Sequence, residues 1–210
     1  MLAFTELTGV AAALLRDNID TDAIIPSREI RSVSKTGLAR GLFAGWRYTS
    51  ADGRSPDPRF VLNDPAYRGA QILLAGENFG CGSSREYAVW ALAEYGFRVL
   101  IAPSFNPIFY RNCLRNGLLP ACLALPGVRE IAAWVAENPQ SNRPTVSLPT
   151  CEIVAANARI WKFGIGDEAR YGLLHGLDEI DQTLKMIGSI AAFRAADRLA
   201  RPWVYEFQRS

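Results

Sequence analysis

The middle of the chain alternates short apolar runs with helical patterns, and this alternation constrains the fold more than any other feature. Residues 71–75 and 98–102 are apolar runs typical of buried strands, and residues 118–125 predict a third strand. Helices are predicted after each strand, at residues 84–95, 107–116 and 128–137. Strands that alternate with helices need crossover connections, so the pattern predicts an α/β fold with a parallel or mixed sheet.

The flanking regions have different patterns. Before the middle, short strands are predicted at residues 8–15 and 24–26. After it, three short antiparallel strands are predicted at residues 145–148, 152–155 and 159–163. Residues 45–69 are rich in Gly, Pro, Asp and Ser and predict a long irregular connection. Residues 178–186 and 187–199 predict helices. We therefore predict an α/β domain over residues 1–166 and a helical C-terminal appendage over residues 167–210, packed on the domain or on a partner.

Composition excludes several classes of protein. The 23 Lys and Arg and 21 Asp and Glu give a net charge of +2 with interleaved signs, which disfavours a nucleic-acid partner. The chain has a single histidine, and its four cysteines contain no C-x-x-C pair. We therefore predict that this chain alone binds no metal. Scattered cysteines and the lack of a long apolar segment predict a cytoplasmic protein that does not bind membranes.

The candidate site is the segment 76–86, GENFGCGSSRE, between a predicted strand and a predicted helix. Open α/β sheets place ligand sites at such turns. Its three glycines let the backbone approach a ligand, and Ser83 and Ser84 lie where a helix N-terminus favours negative charge. Arg85 adds a guanidinium whose geometry suits a carboxylate. The segment predicts a site for a small anion with a hydroxyl group against it.

A purely structural alternative exists for the same residues. Ser83 and Glu86 have the spacing of a capping box, which only starts a helix. The clustering of three glycines, two serines and an arginine favours a site. A dinucleotide fingerprint is excluded because it requires glycine where Arg85 stands.

Four motifs in order resemble one known family. They are residues 17–26 (DNIDTDAIIP), 77–86 (ENFGCGSSRE), 102–105 (APSF) and 117–120 (GLLP). Together they resemble the small subunits of 3-isopropylmalate dehydratase, which are related to the swivelling domain of aconitase. The resemblance covers about residues 5 to 185 and implies a swivelling β/β/α domain like aconitase domain 4.

The resemblance also implies an activity. Such a chain belongs to a hydro-lyase that interconverts 2- and 3-isopropylmalate in leucine biosynthesis, and is active only with a large subunit. The large subunit carries a [4Fe–4S] cluster, whose open iron acts as Lewis acid on the departing hydroxyl of the dicarboxylate substrate. Ser83 falls on the position of the catalytic base, and Arg85 on the arginine that binds the substrate carboxylate. Ser84 and Arg31 are further candidate substrate ligands.

The specificity loop differs from the family pattern. After Pro26 it includes Arg28, Glu29 and Ile30, where leucine-pathway members usually carry an aromatic residue and a leucine at the last two positions. A glutamate does not suit an isopropyl group unless it faces solvent or pairs with Arg28 or Arg31. Tyr87 stands where a histidine is common. Two alternatives stay open: a related hydro-lyase of the methylmalate, citraconate or homoaconitate type, and a non-catalytic dicarboxylate-binding module.

Several other residues have two interpretations. Cys81 is either a reactive thiol or a small packed residue. Asp20 and Asp22 either brace the site or only form turns. His175 is interpreted as the C-terminal residue of a helix.

Overall fold

The computed structural model describes residues 1–30, 34–50, 54–83 and 85–208. Its strands are β1 (Glu6–Thr8), β2 (Ala11–Leu14), β3 (Ile72–Ala75), β4 (Val99–Ala102), β5 (Leu119–Cys122), β6 (Thr145–Ser147), β7 (Glu152–Val154) and β8 (Ile160–Lys162). Its α-helices are α1 (Thr21–Ile24), α2 (Ala44–Arg47), α3 (Tyr87–Tyr95), α4 (Pro107–Arg115), α5 (Leu125–Glu137), α6 (Asp167–His175), α7 (Glu179–Leu184) and α8 (Ile187–Ala200). Short 3₁₀ turns cover Ser27–Glu29, Ala39–Gly41, Val61–Asn63, Pro65–Tyr67 and Pro202–Gln208.

Two four-stranded sheets form the fold. The first is parallel in the order β2-β3-β4-β5, with helices between its last three strands. The second is antiparallel in the order β1-β6-β7-β8. Every residue of β3 and β4 is buried, because helices or the second sheet cover both faces of a parallel sheet. The predicted α/β class with antiparallel additions is confirmed.

The two faces of the parallel sheet belong to two hydrophobic cores, since side chains alternate along a strand. Leu73 and Leu100 point into the core that holds α3 and the buried face of α4. Leu74 and Ile101 point into the other core, which holds α5 and the inner face of the antiparallel sheet. Both cores lie behind the loops at the carboxyl edge of the sheet, so they fix the position of those loops.

Two local predictions are wrong. Residues 24–26 are not a strand, because Asp20 caps α1 by accepting a hydrogen bond from the Ala23 amide at 2.6 Å. Helix α3 begins at Tyr87 rather than at residue 84. The predicted irregular connection is confirmed in character, since its described part between α2 and β3 has only two 3₁₀ turns and no strand.

The C-terminal helices differ in how they pack. Leu173 of α6 is fully buried, and its carbonyl accepts a hydrogen bond from the Phe4 amide at 2.9 Å. Helix α8, in contrast, has no buried residue. The division into residues 1–166 and 167–210 stays a prediction. Among the described residues, no helix has the length and apolar character needed to cross a membrane.

Candidate active site at the carboxyl edge of the parallel sheet

Three of the four motifs meet at one edge of the parallel sheet. Residues 17–26 follow β2, residues 77–86 follow β3, and residues 102–105 begin at the end of β4. Because these strands are parallel neighbours, their carboxyl ends lie side by side. This is the place where open α/β sheets bind ligands.

Backbone hydrogen bonds join the first two motifs. The Gly80 amide donates to the Ile19 carbonyl at 2.8 Å, and the Thr21 amide donates to the Cys81 carbonyl at 2.9 Å. The third motif is joined through Ser104, whose Oγ accepts from the Asn78 amide at 2.8 Å. The three loops therefore form one hydrogen-bonded unit.

Two glycines of the segment 76–86 are required by this close approach. A Cβ on Gly76 would lie 2.4 Å from Asp17 Oδ1, so no side chain fits there. Gly80 has φ +76°, and a Cβ on it would lie 2.1 Å from the ring of Phe109. Two of the glycines predicted to bring the backbone close to a ligand thus bring it close to the loop after β2 and to α4.

Ser83 is exposed and its backbone is fixed by a buried threonine. The Thr21 hydroxyl donates to the Ser83 carbonyl and accepts from the Ser83 amide, both at 3.1 Å. Thr21 is only 3% exposed. Within the described residues, Ser83 Oγ has no hydrogen-bond partner and faces solvent. Thr21 lies inside the first motif, but nothing in its sequence context marks it as the residue that holds Ser83.

Arg85 is held beside the start of the specificity loop. Its Nη1 donates to Ser27 Oγ at 2.5 Å and to Asp22 Oδ1 at 3.3 Å. The Ser27 hydroxyl in turn donates to Asp22 at 3.2 Å. Asp22 therefore braces the site, as the first interpretation predicted. Asp20 caps α1, which is a local turn role and agrees with the second interpretation. Ser27 was missed, since nothing in its sequence neighbourhood marks it as a partner of Arg85.

The capping-box interpretation of Ser83 and Glu86 is wrong. The N-cap of α3 is Glu86, with no side-chain capping bond, and Ser83 precedes that helix by several residues. The Glu86 carboxylate instead accepts from Asn116 Nδ2 at 2.8 Å. The expected position of Ser83 at a helix N-terminus is also wrong, so the helix dipole acts on it more weakly than expected. The ring of Tyr87 packs against Trp90, with centroids 5.0 Å apart.

The specificity loop of Arg28, Glu29 and Ile30 directly follows Ser27 in the chain. Ser27–Glu29 is a 3₁₀ turn in which Arg28 is exposed, and Ile30 packs partly against the core. The Glu29 side chain is only 9% exposed and forms an ion pair with Arg54. Arg28 Nε is 3.7 Å from the other Glu29 oxygen. Two predicted ligands, Ser84 and Arg31, lie outside the described residues.

The remaining candidates have structural contacts. Burial raises the pKa of the Cys81 thiol, and the negative charge of Asp20 raises it further, which opposes a reactive thiolate. His175 is the last residue of α6, with Nδ1 2.9 Å from the Tyr171 carbonyl. In the described part of the chain, no group of three or more His, Cys, Asp or Glu is placed to hold a metal ion.

The candidate site is an exposed surface of loops rather than a closed pocket. A cavity of about 400 Å³ lies between α4, α6 and α7, and another of about 570 Å³ lies beside α2. Neither is lined by Ser83 or Arg85.

Comparison with known proteins agrees with this geometry. The family described as "Aconitase C-terminal domain" matches residues 1–125. Fold and site therefore define a domain of the aconitase type.

Individual relatives narrow the class. The chain is 57% identical over 205 residues to the 3-isopropylmalate dehydratase small subunit of Cupriavidus necator, covering 98% of this chain and 99% of that protein. It is 44% identical to the protein of the same name from Mesorhizobium japonicum, covering 97% and 100%. A crystal structure of 3-isopropylmalate dehydratase from Methanocaldococcus jannaschii superposes with a TM-score of 0.63 and 30% identity, covering 89% of this chain and 99% of that one. The chain belongs to the family of 3-isopropylmalate dehydratase small subunits.

Proposed function

We propose that this chain is the small subunit of a hydro-lyase that isomerises 2-isopropylmalate and 3-isopropylmalate by dehydration and rehydration, in leucine biosynthesis. The observation that carries the proposal is the meeting of exposed Ser83 and Arg85 with the loop of residues 17–26 at one sheet edge. The family membership supports the substrate. A cytoplasmic location is part of the proposal and is supported by the scattered cysteines.

Ser83 is proposed as the base. Dehydration removes a proton from the carbon next to a carboxylate, and hydroxide leaves the neighbouring carbon. The serine oxygen accepts that proton and returns one in the reverse direction. A serine hydroxyl is too weakly acidic to act as a base in water, so a positive charge is needed to make the alkoxide accessible, and Arg85, two residues further along the chain, is proposed to supply it. The backbone hydrogen bonds from Thr21 hold the residue in place.

Arg85 is proposed to bind a substrate carboxylate. Its contact with Asp22 joins two exposed side chains, at 45% and 59% exposure. Such a pair is weak, so a substrate carboxylate displaces Asp22 at small cost. The guanidinium then donates two parallel hydrogen bonds to the substrate.

Substrate selection is proposed to involve the specificity loop of Arg28, Glu29 and Ile30, with Arg31 and Ser84 as further ligands. The sequence objection to an isopropyl substrate was the charge of Glu29. That carboxylate pairs with Arg54 and is nearly buried, so it does not compete with the apolar group for space. No observation on the described residues favours the methylmalate, citraconate or homoaconitate type, or a non-catalytic dicarboxylate-binding module.

The partner is proposed to be a large subunit that carries the [4Fe–4S] cluster. The described residues of this chain do not form a cluster site, so the ligands would come from the partner. When bound there, the cluster would supply Lewis-acid chemistry at the departing hydroxyl. This chain contributes the base and the carboxylate ligand.

The test is reconstitution with the large subunit and substitution of Ser83. The wild-type complex should interconvert the two isopropylmalates, and Ser83→Ala should lower kcat by about 10³-fold because the base is removed. Its free energy of unfolding should not change, since the Ser83 hydroxyl has no partner within the described residues. Ser189→Ala, at an exposed serine of α8, is the control and should keep full activity.

The same assay separates the alternatives. Full activity of Ser83→Ala would exclude its role as base. Preference for 2-methylmalate over 2-isopropylmalate would indicate a related hydro-lyase. Calorimetric binding of a dicarboxylate to the isolated chain, without turnover in the complex, would indicate a non-catalytic binding module.

A further inference from the structure

The specificity loop is attached to a second segment by an ion pair whose carboxylate is nearly buried. Arg54 Nη2 donates to Glu29 Oε2, and Arg54 Nη1 donates to the Arg40 carbonyl at 3.1 Å. The Glu29 side chain is 9% exposed and that of Arg54 is 28% exposed. Removing Arg54 leaves the nearly buried Glu29 carboxylate with only the longer contact to exposed Arg28, whose Nε is 3.7 Å away, so burial of that charge then costs free energy.

The backbone of Arg54 is unusual for its residue type. Its φ is +47°, in the left-handed region that favours glycine. A non-glycine residue keeps this conformation only where its surroundings hold it. Here the guanidinium lies 5.5 Å from the ring centre of Tyr48, whose hydroxyl donates to the same Arg40 carbonyl. The side chain of Arg54, rather than its backbone, is therefore what this position requires.

The other side of Glu29 rests on a fixed turn. A Cβ on Gly41 would lie 2.6 Å from Glu29 Cβ, so the turn Ala39–Gly41 packs directly against the loop. That turn is fixed by Glu94 of α3, which accepts hydrogen bonds from the amides of residues 37, 38 and 39 at 2.6, 2.5 and 2.8 Å. Glu29 is thus held between Arg54 and a turn attached to the helix that follows the candidate site.

The other end of the loop contacts the candidate site directly. Ser27 Oγ accepts from Arg85 Nη1 at 2.5 Å, two residues before Glu29. A shift of Glu29 therefore moves residues that are in contact with the proposed carboxylate ligand. The loop is attached at Arg85 on one side and at Arg54 on the other.

We propose that Arg54 is a positioning residue that acts through Glu29 and sets which 2-substituent the enzyme accepts. This inference rests on the proposed function. Without Arg54, the Glu29 carboxylate keeps only its contact with exposed Arg28, so it turns toward water, and the loop of Arg28, Glu29 and Ile30 moves with it. A hydrated carboxylate then lies beside the apolar substituent of a doubly charged substrate. Loss of Arg54 therefore weakens binding of the branched substrate and leaves the rate of proton transfer at Ser83 unchanged.

The test uses the complex reconstituted with its large subunit, with 2-isopropylmalate and 2-methylmalate as substrates. Arg54→Gly removes the side chain and suits the positive φ of the backbone. It should raise KM for 2-isopropylmalate about tenfold, the scale on which apolar pockets discriminate methyl groups, with kcat within about threefold. KM for 2-methylmalate should change less. Arg54→Lys should be intermediate, since an ammonium lacks the second donor direction of the guanidinium.

A double variant separates positioning from a general loss of structure. Glu29→Gln in the Arg54→Gly background removes the uncompensated charge and should lower KM for 2-isopropylmalate again. Arg59→Met, at an exposed arginine paired with Asp57, is the control and should change neither constant.

Equal effects of Arg54→Gly on both substrates, an effect on kcat alone, or no rescue by Glu29→Gln would overturn the proposal. A wild-type complex that turns over neither substrate would refute the proposed function, and this inference with it. An active wild type with an unaffected Arg54→Gly variant would refute the inference alone.

Discussion

The loops at the carboxyl edge of the parallel sheet and the C-terminal helix α8 differ in how their composition relates to their contacts with the rest of the chain. The edge carries exposed polar residues such as Asn78 and Ser83, and its loops are joined by hydrogen bonds between segments about sixty residues apart, such as Gly80 to Ile19. Helix α8 is rich in apolar residues, yet Phe193 is 64% exposed and Leu199 is 87% exposed. A segment of this chain is therefore held by contacts with an opposing layer or loop, and apolar content alone does not bury it.

The difference has a simple physical cause. The apolar residues of β3 and β4 are covered by α3 and α4 on one face and by α5 and the second sheet on the other, so they lose their contact with water. Helix α8 contacts the 3₁₀ turn Pro202–Gln208 and contributes no residue to either core. Helix α6 is intermediate: it lies after the boundary predicted between residues 166 and 167, yet its Leu173 is fully buried. Three predictions test this contrast.

The largest effect is expected from truncation. A chain ending at residue 166 loses α6, including buried Leu173 and its hydrogen bond to Phe4, and should lose about 3–5 kcal/mol of unfolding free energy. A chain ending at residue 184 keeps α6 and should unfold within about 1 kcal/mol of the full chain. Urea unfolding of both measures the difference. Equal stability of all three chains would show that α6 does not stabilise the domain.

A smaller effect is expected from one methyl group at each region. Gly80→Ala at the sheet edge forces a positive φ on alanine and places its Cβ against Phe109, so it should cost about 2–4 kcal/mol. Gly188→Ala in α8 meets nothing within 4 Å and should be neutral or stabilise by up to about 1 kcal/mol. Urea unfolding measures both. If Gly80→Ala changed the free energy of unfolding as little as Gly188→Ala, the inference that the sheet edge is closely packed at Gly80 would be wrong.

The smallest effect concerns Glu94, which holds the turn Ala39–Gly41 behind the specificity loop. Burial raises the pKa of Glu94, but hydrogen bonds from the amides of residues 37, 39 and 38 outweigh it, and the net pKa lies below the ordinary 4.5. The folded state then binds the proton more weakly than the unfolded chain. The resulting stability is present above pH 4.5 and is lost as the pH falls through the lowered pKa.

Glu94→Gln should therefore destabilise the chain near neutral pH and lose its effect in acid. Because Glu94 is exposed and screened by water, we expect about 1 kcal/mol or less. Urea midpoints from about pH 7 to about pH 3 measure the profile. Glu137→Gln, at an exposed glutamate ending α5, is the control and should leave the profile unchanged. A constant difference at every pH would attribute the effect to packing.

Several elements of the fold were predictable because their patterns are local. The apolar runs of β3, β4 and β5 and the helices between them follow directly from hydrophobic periodicity. The wrong strand at residues 24–26 shows the limit, since a short apolar run does not distinguish a strand from a buried turn of helix. In this segment the N-terminal cap by Asp20 stabilises helix α1 instead of a strand. At Ser83 and Glu86, the capping spacing was present but the carboxylate found Asn116, thirty residues away.

The sequence by itself determined the α/β class, the order of the motifs and the placement of Ser83 and Arg85 after a strand. Only the tertiary structure decided that Thr21 holds Ser83, that Ser27 and Asp22 hold Arg85, and that Glu29 pairs with Arg54. The reason is that periodicity and turn chemistry act over a few residues. Hydrogen bonds and ion pairs between distant segments depend on which strand ends the folded sheet places side by side.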